Sequence, residues 1–220
     1  MLFRALFLAL LFASAAAAQE RARILVIGDS VMAWNGARSI PATLAKTLGE
    51  AVRDESVSGA KFAHRFRMLV GPMDIRAQVP RLDFDWIVLI GGANDLADDC
   101  ACEACEATLD ALISADARLG AIPDFAEEMR LRGMRLLWAH YYRSPDIGGP
   151  FEACGDEFDD LKARIDLLSA QSQGVYTVDL ARIIDASDLS LYDADRVHPS
   201  PSGSERIGAH LAEVLRSLEE

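Results

Sequence analysis

The chain has 220 residues, with 22 Lys and Arg against 34 Asp and Glu, and its formal net charge is −12. This acidic balance argues against binding to DNA, RNA or an anionic membrane surface, because those partners require clustered cations. Apolar residues make up 51% of the chain, which is enough for a real core, and the length allows one domain or at most two.

Residues 1–18 have the pattern of a secretory signal peptide. Arg4 supplies a positive start, an apolar stretch follows over residues 5–13, and three alanines at 16–18 form a small-residue cleavage site. The stretch is too short to span a bilayer as a mature helix, and no later stretch is apolar for long enough. We therefore expect an exported protein, periplasmic or secreted, with one domain over residues 19–220 and no transmembrane anchor.

Strand-like and helix-like segments alternate along the rest of the chain, which is typical of a parallel sheet covered on both faces. The pattern predicts strands at 24–27, 56–58 (weakly), 86–90, 135–139 and 175–178. It predicts helices at 40–48, 108–117, 124–132, around 158–168, and from about residue 202 to the end. No internal repeat is visible.

Polar residues follow several of these strands, at the edge where open α/β sheets bind ligands. Ser30 comes directly after the first strand, and His198 follows the fifth. A serine nucleophile needs a base within hydrogen-bond reach and a third group that orients the base. His198 can accept the proton of Ser30, and Asp195, three residues earlier, can fix the tautomer of the imidazole.

An oxyanion site can be assembled at the same edge. The backbone N–H groups of Ser30 and Gly59 and the side-chain amide of Asn94 are three candidate donors. Glycine suits such a position because it lets the backbone approach the substrate closely. Taken singly, each residue also has a plain structural interpretation, such as a helix N-cap at Ser30, a bend at Gly59 or a turn at Asn94.

Together, the four motifs resemble the SGNH hydrolases, the GDSL-type esterases and lipases. They occur in the family's order: Gly28-Asp29-Ser30, then Gly59, then Gly92-Ala93-Asn94-Asp95, then Asp195-Arg196-Val197-His198. The resemblance implies a nucleophile at Ser30, a base at His198 and its partner at Asp195. It also implies oxyanion donors at Ser30, Gly59 and Asn94, with no metal and no cofactor.

This resemblance implies an α/β fold, a three-layer α/β/α sandwich with a mainly parallel five-stranded sheet of the flavodoxin-like kind. The expected function is hydrolysis of carboxylic esters through an acyl-enzyme on Ser30. Short-chain or acetyl esters are favoured because no long apolar loop indicates an acyl-chain tunnel. A lysophospholipase or acyl thioesterase of the same family is the near alternative, and a non-catalytic extracytoplasmic module that binds a glycan or envelope component is the distant one.

Four further residues lie where they can line the substrate pocket. Trp34 and Asn35 follow Ser30, and His140 and Tyr141 follow the fourth strand. Each of them can instead pack the loop or sheet end on which it lies. Asp95 is expected to hold the third loop rather than to take part in chemistry.

Four cysteines, Cys100, Cys102, Cys105 and Cys154, allow a zinc site, a redox-active Cys-x-x-Cys pair or two disulfides. The export signal favours disulfides, because exported chains usually hold an even number of cysteines as bridges. We expect one short bridge within residues 100–105 and one long bridge to Cys154. A pair between Cys100 and Cys102 is disfavoured because so small a ring is strained.

Overall fold

The computed structural model describes residues 22–63 and 71–220, so the predicted signal peptide and the predicted domain start at residue 19 lie outside the described residues. Its centre is a five-stranded sheet in which every pair of neighbouring strands is parallel. The strands are β1 (Ile24–Ile27), β2 (Val52–Asp54), β3 (Trp86–Leu89), β4 (Arg135–His140) and β5 (Val175–Asp179). Their order, β2-β1-β3-β4-β5, is that of flavodoxin-like sheets and confirms the predicted fold class.

Seven α-helices occur in the described residues. They are α1 (Ser30–Ala33), α2 (Ile40–Leu48), α3 (Ala93–Cys100), α4 (Glu106–Leu112), α5 (Ala121–Leu131), α6 (Gly155–Gln171) and α7 (Pro201–Glu219). Short 3-10 turns cover Gly36–Arg38, Gly71–Met73, Ile75–Gln78, Glu152–Cys154, Leu180–Arg182 and Leu189–Leu191. Within the described ranges, no helix is both long enough and apolar enough to cross a membrane.

The sheet is buried on both faces, and its side chains alternate between two cores. Leu25 and Ile27 of β1 belong to the core that also includes apolar side chains of α3, α4, α5 and α6. Ile24 and Val26 belong to the opposite core, with side chains of α1, α2 and α7. All four β1 residues are inaccessible to solvent, which explains why a parallel strand appears in the sequence as a continuous apolar run.

Three predicted elements differ from the structure. The second strand lies at Val52–Asp54 rather than at 56–58, because this short and partly exposed edge strand carries a weak apolar pattern. Helix α3 was not predicted, and Asn94, which we expected in a loop, lies in its first turn. The predicted helix 108–117 ends at Leu112, because the hydroxyl of Ser114 instead accepts the N–H of Leu119 (3.0 Å) and shapes a turn.

Gly28 ends β1 at a position that accepts no larger residue. Its φ is +139°, and an added Cβ would lie 2.6 Å from the carbonyl oxygen of Ile90. The Gln78 amide satisfies both backbone groups of Gly28, accepting its N–H (2.7 Å) and donating to its carbonyl (3.0 Å). The chain therefore turns tightly over the end of β3, and this turn presents Asp29 and Ser30 at the edge of the sheet.

The variant Gly28→Ala tests this close contact. We expect its free energy of unfolding to fall by about 3 kcal/mol or more, because the new methyl group meets backbone atoms that have no room to move. The matched variant is Gly36→Ala, where φ is also positive (+50°) but no atom lies within 4 Å of the new Cβ. Gly36→Ala should lower the free energy of unfolding by only about 1 kcal/mol. Urea denaturation of both variants measures the difference, and equal losses would contradict the steric argument.

Candidate active site

The nucleophile position is built by the turn between β1 and α1. Asp29 is the N-cap of α1, and its Oδ1 accepts the backbone N–H of Val31 (3.0 Å). Ser30 is therefore the first residue of the helix, where its own backbone N–H has no partner inside the helix. Its side chain borders a cavity of about 250 Å³.

The predicted acid–base pair is formed by one tight turn. The Nδ1 of His198 lies 2.5 Å from Oδ2 of Asp195, and Oδ1 of Asp195 accepts the backbone N–H groups of Val197 (2.9 Å) and His198 (3.0 Å). Burial alone would raise the pKa of Asp195, but the hydrogen bonds from His198 and Val197 outweigh it and lower that pKa. An ionised Asp195 holds the proton of the neutral imidazole on Nδ1 and leaves Nε2 as the acceptor.

The structure brings His198 to the cavity that Ser30 borders. The Nε2 atom of His198 is buried and has no hydrogen-bond partner among the described residues. Ser30 and His198 thus face one space without a direct hydrogen bond in this structure, a situation that is common in hydrolases without substrate.

The oxyanion side of the site comes from α3 and the segment after β2. The Nδ2 of Asn94 donates to the carbonyl of Ala60 (2.9 Å), which uses one of its two hydrogens, and Asn94 also borders the cavity. Gly59 precedes Ala60 with φ +80°, so the structure places it beside Asn94, although it does not border the cavity. Two of the three expected donor residues, Ser30 and Asn94, therefore line the cavity itself.

A buried link that the sequence did not reveal joins the two sides of the site. The Tyr141 hydroxyl donates a short hydrogen bond to Oδ2 of Asp29 and accepts the N–H of Ala93 (3.2 Å). The Asp29 side chain is 1% exposed, and burial raises its pKa to about 6 although the bonds from Tyr141 and Val31 act in the opposite direction. Tyr141 thereby fixes the start of α3 relative to the turn that carries Ser30.

Asp95 was expected to hold the third loop, but it lies in α3 and holds the segment after β2. Its carboxylate accepts the backbone N–H groups of Phe62 (3.0 Å) and Ala63 (2.7 Å). Burial raises its pKa to about 6, and these two hydrogen bonds act in the opposite direction. The contact ties the first turn of α3 to the segment that follows Gly59.

Of the four residues expected to line the pocket, only Tyr141 borders the cavity that contains Ser30. His140 is buried at the end of β4 and its Nε2 pairs with Asp166 of α6 (2.8 Å). Asn35 donates to the carbonyl of Pro199 and to Oγ of Ser204 (both 2.8 Å). Trp34 stacks on His198, with ring centroids 3.8 Å apart.

Aromatic side chains form one wall of the cavity. Tyr141 stacks on Phe158 (centroids 5.1 Å apart), and Phe158 stacks on Phe151 (6.0 Å). The residues that border the cavity are Asp29, Ser30, Val31, Ala93, Asn94, Tyr141, Tyr142, Arg143, Ser144, Phe151, Phe158, Arg196, Val197 and His198.

Two disulfides support this wall. Cys100 pairs with Cys105, and Cys102 pairs with Cys154, which are the short and the long bridge that the sequence analysis expected. Cys154 lies between Phe151 and Phe158 in the chain, so the long bridge anchors the aromatic wall to the region after α3. Across residues 22–63 and 71–220, no group of three or more His, Cys, Asp or Glu side chains is arranged to hold a metal ion.

A serine and a His–Asp pair at the carboxyl edge of a parallel sheet define an α/β serine hydrolase as the class of protein. The sequence model of the GDSL-like lipase/acylhydrolase family matches residues 26–206. The chain therefore belongs to the GDSL-like lipase/acylhydrolase family, and it is an SGNH-type serine hydrolase that acts on ester bonds. No curated protein sequence matches it.

Solved structures show the same fold. A carbohydrate acetylesterase from Sinorhizobium meliloti, Est24, has a TM-score of 0.61 at 15% identity, covering 90% of this chain and 100% of that one. An aryl esterase from M. smegmatis in an inhibitor-bound form has a TM-score of 0.59 at 17% identity, covering 90% and 99% of the two chains. At these identities, the likeness concerns the fold alone.

The variant Asp29→Asn tests the buried carboxylate through the pH dependence of stability. Between pH 3.8 and about 6 the folded chain retains a proton that the unfolded chain releases, so the wild-type free energy of unfolding falls as the pH rises through this window. The full rise in the pKa of Asp29 corresponds to about 3 kcal/mol in the free energy of unfolding. From about pH 4 to about pH 8, Asp29→Asn should gain up to that amount relative to wild type in urea denaturation.

The exposed residue Asp146 provides the control for this experiment. The stability difference between wild type and Asp146→Asn should stay constant to within about 0.5 kcal/mol over the same pH range. A difference between wild type and Asp29→Asn that is equally independent of pH would show that burial does not perturb Asp29.

Proposed function

We propose that this protein hydrolyses short-chain carboxylic esters, acetyl esters in particular, through an acyl-enzyme on Ser30. The observation that supports the proposal is the unpartnered Nε2 of His198, a residue that pairs with Asp195 and borders the same cavity as Ser30. A binding module would have no use for a buried imidazole nitrogen that is held in its acceptor tautomer beside a serine.

In the proposed reaction, Oγ of Ser30 attacks the ester carbonyl while its proton moves to Nε2 of His198. The negative charge that develops on the carbonyl oxygen is stabilised by the N–H of Ser30 and the second hydrogen of the Asn94 amide. The N–H of Gly59, which lies beside Asn94 but does not border the cavity, stays a predicted third donor. His198 then gives its proton to the leaving alcohol. Water activated by the same imidazole releases the acid and regenerates Ser30.

The size and lining of the cavity support small acyl groups. Its volume of about 250 Å³ lies below the range of sites that hold drug-sized ligands, about 300 to 1,000 Å³. Phe151 and Phe158 close the wall where a longer acyl chain would extend, and Cys154 between them is bridged to Cys102. One of the proteins that share the fold, Est24, is named as a carbohydrate acetylesterase.

Export to an oxidising compartment is part of the proposal. The signal-like segment at residues 1–18 supports it, and so do two disulfides among the four cysteines. Hydrolysis would then act on esters outside the cytoplasm, which is consistent with a small-molecule, lipid or glycan ester as substrate.

The catalytic assignment predicts the behaviour of two variants. Ser30→Ala should abolish turnover of p-nitrophenyl acetate and labelling by a fluorophosphonate, because the attacking oxygen is absent. Asp195→Asn should keep the fold but lower kcat by about 10⁴-fold, because the imidazole loses the partner that fixes its tautomer. Ser217→Ala, at an exposed serine of α7, should leave turnover and labelling unchanged. Turnover that persists in Ser30→Ala would refute the nucleophile.

The acyl-chain preference is tested with p-nitrophenyl esters of increasing length. We expect kcat/KM to fall by about 100-fold or more from acetyl to octanoyl, because the longer chain meets the aromatic wall. Phe158→Ala should raise the octanoyl-to-acetyl ratio about tenfold. Leu119→Ala, at an exposed leucine that does not border the cavity, should leave the ratio unchanged. A wild-type preference for octanoyl would favour a lysophospholipase or thioesterase.

A further inference from the structure

Trp34 covers one face of the catalytic base. Its indole ring and the His198 imidazole lie 3.8 Å apart between centroids and within 9° of parallel. The His198 side chain is only 14% exposed. Acid–base catalysis requires only the two nitrogen atoms of the imidazole, so the aromatic ring stacked on its face needs a separate explanation.

Asp193 holds the indole in place. The Nε1–H of Trp34 donates to Oδ2 of Asp193 (2.7 Å), while Oδ1 of Asp193 accepts the N–H of Ala194 (2.7 Å). The backbone N–H of Asp193 donates to the carbonyl of His198 (2.8 Å). The carboxylate is therefore fixed in the segment that carries the base, and it fixes the indole plane relative to the imidazole.

We propose that Trp34 and Asp193 are positioning residues that orient His198 and stabilise its protonated form during catalysis. This inference rests on the proposed function. When Oγ of Ser30 attacks, its O–H electron pair forms the new bond to the carbonyl carbon, and the proton moves to Nε2, which creates an imidazolium. Tryptophan offers the best aromatic face for a cation, and a carboxylate that accepts the indole N–H adds negative charge to that ring.

The burial of the imidazole gives the stack a chemical role beyond packing. Nε2 has less than 1 Å² of solvent-accessible surface and no hydrogen-bond partner in the described chain, so bulk solvent contributes little to stabilising the new charge. The charged groups that the structure places around the ring and its cavity are Asp195 on Nδ1, Asp193 across the indole, Asp29 beside Ser30, and the cations Arg196 and Arg143. In such a partly desolvated site, the face of Trp34 contributes more than it would in water.

Substitution of Trp34 separates packing from charge stabilisation. Trp34→Leu keeps an apolar cover but removes the aromatic face, so kcat should fall about tenfold while KM for p-nitrophenyl acetate stays within about twofold. The acidic limb of the kcat/KM profile should shift to lower pH, because the imidazolium is less stable. Trp34→Phe should lie between wild type and Trp34→Leu. A lower kcat with an unshifted pH profile in Trp34→Leu would mean a merely structural role and would overturn the proposal.

A double-mutant cycle tests whether Asp193 acts through the indole. Asp193→Asn should lower kcat about threefold in the wild-type background and have no further effect in Trp34→Leu. The control Asp146→Asn removes one negative charge from a neighbouring exposed loop and should leave kcat unchanged in both backgrounds. An equal effect of Asp193→Asn with and without the indole would show that the carboxylate does not act through Trp34.

A measurement without turnover separates this inference from the proposed function. In the Ser30→Ala protein, NMR titration reads the pKa of His198 directly, free of the overlapping ionisation of Asp29. That pKa should fall when Trp34→Leu is added to Ser30→Ala, provided that circular dichroism shows both proteins folded. An unchanged or raised pKa of His198 overturns the proposed role of Trp34 even where Ser30 proves to be the nucleophile. A lower pKa supports that role even where no ester is turned over.

Discussion

The close approach of Gly28 to the carbonyl of Ile90 is the constraint on which the rest of the site depends. Because Gly28 has no Cβ, the end of β1 can lie against the backbone of Ile90 at the end of the neighbouring β3, and the chain turns at once into α1. At the same turn the Gln78 amide binds both backbone groups of Gly28, whose carbonyl also accepts the backbone N–H of Val57 (3.0 Å). The next two residues then have fixed directions, with Asp29 pointing into the protein and Ser30 towards the cavity.

Two buried carboxylates connect this turn to the other loops of the site. Asp29 accepts the hydroxyl of Tyr141, which also holds the start of α3, and Asp95 in the same helix accepts two backbone N–H groups from the segment after Gly59. Burial raises the pKa of both acids to about 6, so each is retained at a cost in stability near neutral pH. What they provide is a fixed geometry among three loops that are distant in sequence.

The sequence was sufficient to predict the parallel sheet and to select Ser30, Asn94 and His198, which the structure brings to one cavity, because both depend on local patterns. Buried parallel strands appear as apolar runs, and two of the four family motifs, at Gly28 and Gly92, follow the ends of β1 and β3. The direction in which a side chain points at a strand end could not be predicted from the sequence. His140 follows Leu136 and Trp138 on the face of β4 that packs on α6, so it meets Asp166 instead of the cavity. The contacts of Tyr141 with Asp29 and of Trp34 with His198 join distant positions and depend on strand order, which no local pattern contains.

These long-range contacts explain how the nucleophile and the base keep their relative position although they lie far apart in the chain. The segment after Ser30 contacts the loop that carries His198, because Trp34 stacks on His198 and Asn35 donates to the carbonyl of Pro199. On the other side, the hydroxyl of Tyr142 donates to the carbonyl of Val197 (2.7 Å). The loop of the base is thus held from both flanks, and one flank is the same short stretch that begins with the nucleophile. A shift in that stretch would move both reacting groups together, which preserves the geometry that proton transfer requires.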